Sequence, residues 1–552
     1  MAFSDYVAEE LKLFWPAPIR AHPNVPLDFR FSYYEKDNRV LTWSITNNPA
    51  WMTLDQYGRV TGTPTASATH SGITVTVSRE GGGSVSTTFD CVVGTSDFIF
   101  VATTGNNTTG TGTITNPYQT IGYAISQLVS GNGKTIYVRG GTYQEWWNNS
   151  SPITGKNFTS NDYTEIRGYP GETAILDCVS SGHGLWLFQT TYAVISNLEC
   201  KRANYPDRAG LLMSESSYCV IKDCIVHDCK WDYSTNPAGI YVAGVNSLCD
   251  RCVAYNNGDD LAPNGNSSNF IIYTEGDTSS DYLWVLNCKS YGCSKYGYKI
   301  KHAGPKHLVL HNLESFDKYG AAPTSNYTSM RYCVFYNSGV RMQETEPSRS
   351  GGPVLVEHCT FANCGGSGER CALDIYDPYL VNNLGEYRNN IFFDNRSSAG
   401  TGEFDYRLVQ HHIYTPTSTV LGRTLTTDWN LYYSPSSSNI FRMGSTGGSK
   451  DLSWAQWQAL SRDTNGRFAL PGFVNYGAGN LNVAEGSNAD FGGGVFAGAF
   501  APGRTYGNVG QSNTTLLVWD GTGSSSGNPP AFADEKYLNF KTRKTLRRYF
   551  YT

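Results

Sequence analysis

Alternation of apolar and polar positions divides the chain into three stretches. Between residues 41 and 93, LTWSITNNPAWMTLDQYGRVTGTPT, GITVTVSR and VSTTFDCVV place β-branched residues at alternate positions, with glycine turns such as Gly81-Gly82-Gly83 between them. Short antiparallel strands follow from that pattern, and residues 14–94 are expected to form a small β-sandwich. From 97 to 145 the period changes twice. Ile121, Ala124, Ile125 and Leu128 fall on one face of a short helix, behind Asn116 and Pro117, which suit its cap and first position. TIYVRGGTY (135–143) then reads as a strand.

The third stretch repeats. VISNLEC, VIKDCIV, LCDRCVA, WVLNCKS, VLHNLES, MRYCVFY, LVEHCTF and YRNNIFF align on one column: Leu198, Cys224, Cys252, Cys288, Leu313, Cys333, Cys359 and Ile391, with steps of 26, 28, 36, 25, 20, 26 and 32 residues. Before the column there is often Asn or Asp (Asn197, Asp223, Asn287, Asn312, Asn390), and two places after it come Val226, Ala254, Phe335, Phe361 and Phe393. Repeats of this length describe a solenoid. Stacked parallel coils put equivalent side chains about 4.8 Å apart, alternate residues face inward, and Asn or Asp tolerates the corner dihedrals. The column cysteines are then small buried hydrophobes, expected as free thiols rather than a disulfide framework. Cys229, Cys293 and Cys364, each five residues further on, do not make a zinc spacing.

Composition narrows the class. The chain has 552 residues, 16% charged and 13% aromatic, with 58 Gly, 37 Tyr and 14 Cys, which excludes disorder and coiled coil. A net charge of −5 does not suggest nucleic-acid binding through a basic field, and no run approaches the roughly 18–20 apolar residues of a membrane span. Residues 505–530 are rich in Gly, Ser and Asn, and 536–552 carry basic residues without acids. The expected organisation is an N-terminal segment (1–13), a sandwich (14–94), a solenoid (95–500) and a C-terminal loop and basic tail (501–552).

Several motifs carry resemblances. Pro49-Ala50-Trp51-Met52 followed by Gly58-Arg59-Val60-Thr61-Gly62-Thr63-Pro64 resembles the immunoglobulin/cadherin-like module of bacterial surface proteins, without its calcium acids, and implies a spacer or attachment role. The segment 97–145 resembles the opening of right-handed parallel β-helices, where a helix covers the first coil. SWAQWQALSRDTNGRFALPGFVN (453–475) resembles their closing segment. The fold class so implied is all-β: a right-handed parallel β-helix, pectate-lyase-like, preceded by a small immunoglobulin-like β-sandwich.

Candidate chemistry lies on the solenoid. In YGYKIKHAG, Lys299 and Lys301 alternate with Tyr298 and Ile300 and are expected to face solvent. Gly297-Tyr298-Lys299-Ile300-Lys301 resembles the Gly-Phe-x-x-Lys segment of calcium-dependent β-helix pectate lyases, which implies that Lys301 removes the proton α to a uronate carboxylate. One coil later the family's calcium acids are replaced by Ser315-Phe316-Asp317-Lys318, so no cofactor is expected beyond a weak case for calcium. Asp259, Asp260 and Glu275 sit by the insertion of the longest step, where two carboxylates are placed for glycoside hydrolysis; Asn-Gly-Asp-Asp equally reads as turn chemistry. Lys299, Trp231, Tyr298, Tyr319 and Tyr376 are candidate carbohydrate contacts, and Trp146, Trp147 and Trp186 are either sugar platforms or capping aromatics.

MAFSDYVAEELKL has no basic or apolar signal region. With the sandwich and the weak catalytic set, this favours resemblance to bacteriophage tailspikes: a virion tail protein, homotrimeric, in contact with other tail proteins, binding bacterial surface polysaccharide, with or without cleaving it. The alternatives are an extracellular polysaccharide lyase or glycoside hydrolase, and a non-catalytic adhesin.

Overall fold

The computed structural model describes residues 11–14, 18–147, 153–179, 182–204, 209–229, 238–258, 267–273, 282–293, 296–301, 307–317, 319–322, 328–336, 339–343, 354–362, 372–377, 385–393, 409–413, 425–434, 440–444, 450–475 and 480–501. The protein is nearly all-β, with the long parallel sheets of a right-handed β-helix behind a small N-terminal β-domain. It divides into two compact units, one running to His311 and including 323–329 and 345–353, the other taking the remainder.

In the first unit the sandwich packs a four-stranded sheet (Ile19–Ala21, Ser84–Val93, Ala68–Arg79, Leu41–Thr46) on a three-stranded one (Leu27–Arg30, Arg59–Gly62, Thr53–Leu54). Its core is Ile19, Leu27, Phe29, Phe31, Met52, Val60, Ile73, Val75 and Phe89. The glycine motif has a steric cause. A Cβ on Gly62 would stand 1.9 Å from the carbonyl oxygen of Trp51. Leu11–Leu13 is a strand paired with Tyr33–Glu35.

The capping helix is Ile121–Ser126, and Thr120 rather than Asn116 is its N-cap, accepting the Tyr123 N–H. Asn116 and Pro117 belong to the preceding turn, and the Glu145 carboxylate takes the amides of Ile121 and Gly122 at 2.7 and 2.8 Å. Ile121, Ala124, Ile125 and Leu128 are buried as the spacing predicts.

Three parallel sheets then wind through the unit. Sheet one runs from Phe98–Val101 through Thr164–Gly168, Val220–Lys222 and Ser247–Asp250 to His307–His311. Sheet two runs from Gly141–Tyr143 to Lys289–Tyr291, and sheet three comprises Leu185–Phe188, Ala209–Ser217, Ala238–Val245, Ser268–Tyr273 and Tyr296–Lys301. Between sheets one and two the chain turns through left-handed residues: Asn197, Asp223, Arg251 and Asn287 all have φ between 52° and 55°. Asn and Asp reach that region at least cost. The following column residue explains its cysteines. Cys224, Cys252 and Cys288 each donate a thiol to the carbonyl two residues earlier, at 3.2, 3.5 and 3.2 Å, so the thiol fills the interior and partners a corner carbonyl at once. All twelve described cysteines are buried and free.

The second unit repeats this arrangement in its own parallel sheets, with left-handed corners at Asn312, Tyr332, His358, Asn389 and Trp429. Here one expectation is corrected. Ile391 pairs with Thr360, not Cys359, so the column residue is Asn390 and the aromatic two places on is Phe392, not Phe393. The column turns polar: Asn390 Oδ1 takes the Cys359 amide at 2.8 Å, Asn430 Oδ1 takes the Asn390 amide at 2.9 Å, and Asn430 Nδ2 donates to Asp463 at 2.7 Å. Every amide group in this ladder has a partner, which is what permits its burial. Trp457, from the closing helix Trp454–Gln458, and Tyr432 complete the shell of Asp463, each at 2.9 Å.

The sandwich is not a free spacer. Its strand edge lies on the outer face of sheet one, where carbonyls of Asp28, Arg30 and Phe31 receive Arg167, Lys222 and Arg251 from three coils. Arg20 reaches Asp162 at 2.7 Å, His311 meets Asn38 at 3.1 Å, and Phe14 packs edge-on against Trp284. Phe14 and Tyr34 join Val194, Val220, Leu248, Trp284 and Val309 in one apolar cluster.

Candidate functional site

Sheet three carries the lysine strand, and alternation fixes what faces outward. Leu185, Leu187, Leu211, Met213, Ile240, Val242, Phe270, Ile272, Tyr298 and Ile300 fill the interior. The opposite parity gives a second column, Trp186–Leu212–Tyr241–Ile271–Lys299, paired residue on residue, in which Trp186, Leu212 and Ile271 are buried in an apolar cluster and Tyr241 and Lys299 are half-buried. Beside it, Tyr273 pairs with Lys301. The column begins with an indole whose N–H donates to Ser214 Oγ at 2.8 Å and ends on a cation. Lys299 is half-buried, with its ammonium 5.0 Å from the centre of the Tyr296 ring, close enough for cation–π attraction.

Tyr298 is withdrawn as a carbohydrate contact. It is fully buried, stacks on Phe270 and donates its hydroxyl to the Cys288 carbonyl at 2.8 Å. Lys301 ends the strand Tyr296–Lys301, while Tyr319 and Tyr376 lie in Tyr319–Ala322 and Leu373–Asp377 of the second unit. Asp259, Asp260, Glu275 and Trp231 lie outside the described residues.

The pectate-lyase resemblance raises calcium. Asp317 is fully buried and accepts the Ser315 hydroxyl at 3.2 Å, so it does not present a carboxylate to a hydrated cation. Among the described residues no group of three or more His, Cys, Asp or Glu is arranged to hold a metal ion. No step is therefore routed through calcium.

Sheet two carries a cluster that sequence spacing does not single out. On its outer face His227 lies between Asp228 at 2.7 Å and Glu199 at 3.1 Å. Burial alone would lower its pKa, but the two carboxylates outweigh that and hold it up at about 9; Glu199 is pushed down by its hydrogen bond to His227. Such an imidazole is charged at neutral pH and is a poor base. The rings of His227, Tyr255 and Tyr291 stack plane on plane at 4.6 and 4.9 Å, which leaves neighbouring faces closed to a ligand. The signal available in sequence was the recurrence, at steps of 28 and 36 residues, of an aromatic ring three places past the cysteine column.

Comparison with known proteins agrees with this architecture. A family model described as "Pel9A-like, right handed beta helix region" matches residues 99–351, and one described as "Putative Ig domain" matches 15–94. No curated protein matches the chain. Among solved structures, a rhamnogalacturonan lyase is 13% identical, covering 73% of this chain and 100% of its own, with a TM-score of 0.44. Pectate lyase Pel9A is 14% identical, covering 57% and 80%, with a TM-score of 0.41. A mannuronic acid specific polysaccharide family 6 lyase from human gut microbiota is 15% identical, covering 60% and 76%, with a TM-score of 0.37. The fold is a right-handed β-helix, matched over residues 99–351 by the Pel9A-like model, behind an immunoglobulin-like domain at 15–94.

Proposed function

We propose that the protein binds a uronate-bearing polysaccharide along the outer face of sheet three and cleaves it by β-elimination. The observation that carries this reading is the register that sets Lys299 and Lys301 at the end of sheet three on the same side as the half-buried Tyr241 and Tyr273. Aromatics give amphipathic area to sugar rings, and the lysines supply the charge that a uronate requires.

In this scheme the neutral amine of Lys301 takes the proton at C5, α to the carboxylate. The electron pair forms the C4=C5 double bond, and the C4–O bond breaks, its oxygen taking a proton from water. The ammonium of Lys299, two residues away on the same face, offsets the carboxylate charge that grows as the proton leaves, and favours the neutral form of Lys301. Turnover accordingly rises toward alkaline pH, as the amine deprotonates.

The test is ultraviolet absorbance of the unsaturated uronate on polygalacturonate, rhamnogalacturonan and alginate, for the wild type and Lys301→Ala. A fall of roughly 10²–10⁴-fold in the variant supports Lys301 as the base. Unchanged turnover removes it, and retention on the polymer without any turnover in the wild type leaves a binding protein in place of a lyase. The tailspike role adds a homotrimer and a virion location to the same substrate class. Sedimentation of the intact chain separates them, since a monomer in solution rejects the tailspike and leaves the lyase standing.

A further inference from the structure

We propose that the sandwich joins two copies of this chain: strand Leu41–Thr46 of one copy pairs antiparallel with the same strand of the other, about a two-fold axis at Ser44. The proposal is independent of the lyase reading.

The two sheets of the sandwich have four edge strands, and they are treated differently. Two lie on the solenoid. At Ile19–Ala21, Arg20 donates to the Tyr163 carbonyl at 2.6 Å and to Asp162 at 2.7 Å; at Leu27–Arg30, the carbonyls of Asp28 and Arg30 receive Arg167 and Lys222. The third edge, Thr53–Leu54, is two residues long. The fourth is Leu41–Thr46, six residues, at the opposite end of its sheet from Ile19–Ala21 and three strand spacings away, about 14 Å. It pairs with Ala68–Arg79 on one side without a register shift, and among the described residues no strand lies on its other side. Edges are usually guarded by a lysine, a proline, a bulge or shortness. LTWSIT has none of these.

In an antiparallel pair each residue sends both backbone groups to one side. The Val40 carbonyl accepts the Glu80 amide at 2.8 Å, and the Arg79 amide, opposite Leu41, turns away to Gly83 at 3.0 Å. Even-numbered residues therefore serve Ala68–Arg79, and the N–H and C=O groups of Leu41, Trp43 and Ile45 point off the edge.

The side chains select the partner. Thr42, Ser44 and Thr46 form an exposed outer row, while Trp43 and Ile45 are half-buried against the sandwich core. Leu41 is buried with Leu11, Tyr33 and Val77, which centres the open stretch on Ser44. Turned on itself about Ser44, the strand sets Thr42 against Thr46, Ser44 against Ser44 and Trp43 against Ile45 of the second copy. Hydroxyls meet hydroxyls, an aromatic meets a β-branched residue, and no like charges face each other. Both copies use the same edge, so the assembly closes at two instead of growing into a fibre.

Sedimentation equilibrium of the full chain over a range of concentrations tests the proposal, for the wild type, Ser44→Lys, Ser44→Cys and Thr42→Cys. The wild type is expected to reach twice the mass of the chain. Ser44→Lys sets two ammonium groups at the axis and should weaken association at least about tenfold, with an unchanged thermal midpoint. Cross-linking reads the register. Ser44 meets its counterpart in a non-hydrogen-bonded pair, with Cα atoms about 4.5 Å apart, inside the range of a disulfide. With oxidised glutathione, Ser44→Cys should give a dimer band on a non-reducing gel, and Thr42→Cys, set against Thr46, should not. A wild type that keeps the mass of one chain at every concentration overturns the pairing, including the case in which another segment of the same chain covers the edge. A threefold mass overturns it too, as does full association of Ser44→Lys or equal cross-linking of the two cysteine variants. Turnover of Lys301→Ala reads the lyase separately.

Discussion

The outer faces of sheets one and three in the first unit are built from the same materials and are used differently. Each presents aromatics and cations in register along successive coils. On sheet one, Arg167, Lys222 and Arg251 turn into the sandwich and donate hydrogen bonds to its backbone carbonyls. Arg251 also holds Asp223, at 2.6 and 2.9 Å, together with Asp250, which receives Asn287 at 2.8 Å. Burial works against that arginine's charge, but the two aspartates more than offset it and raise its pKa. On sheet three, Trp186, Leu212 and Ile271 are buried in an apolar cluster that no sandwich residue joins, and Lys299 at its end is half-buried. A cation on a β-helix face is therefore no sign of a site until what covers the face is known.

The largest effect expected from that contrast is on stability. Arg251→Met leaves the buried Asp250 and the half-buried Asp223 beside each other without their cation, and should cost about 3–5 kcal/mol in urea unfolding. Lys299→Met should change stability by no more than about 0.5 kcal/mol while weakening retention on uronate polymers. Equal losses for the two lysine- and arginine-to-methionine variants would erase the distinction between the faces.

A smaller effect is expected inside the coil. Tyr298→Phe removes the hydroxyl that satisfies the Cys288 carbonyl and should cost about 1 kcal/mol by the same measurement, with polymer retention unchanged. A loss of retention at full stability would return Tyr298 to the ligand face.

The smallest concerns pH. The folded pKa of His227 is raised to about 9, so its ion pairs contribute fully below the ordinary imidazole value of about 6.5, and the contribution is lost as pH climbs through 9. Solvent reaches Asp228, which limits the effect to about 1 kcal/mol. His227→Gln should flatten the fall in stability between roughly pH 6.5 and 9; an unaltered slope would place the titrating group elsewhere.

Much of the fold was legible because period and register are carried by single residues. The cysteine column and its corner Asn and Asp residues marked the coils from Leu198 to Cys359. The alignment slipped at Ile391 because the true column residue, Asn390, is polar, and a satisfied buried amide looks like surface to a hydrophobic pattern. The docking of the sandwich was hidden for a related reason: it is made by Arg167, Lys222 and Arg251, and a hydrophobic pattern assigns no partner to a charged strand residue. On the site, alternation placed Lys299 outward and Tyr298 inward, and the error lay in assigning Tyr298 to sugar despite that parity. The His227 cluster was invisible because Glu199 and Asp228 come from different coils, brought together only by register.

The cysteine column also sets a race in time. Cys249 and Cys288 rest with their sulfurs 3.8 Å apart, 39 residues distant along the chain, and other thiols stack on neighbouring coils. Once the coils close, these groups are sealed, and burial raises the Cys219 thiol to about 12, where almost none of it is reactive thiolate. Before closure the same thiols are accessible and joined by chain segments of only a few tens of residues, so wrong cross-links can form. Winding must therefore finish before an oxidant arrives, and the denatured chain should recover more fully with a reductant present than in air.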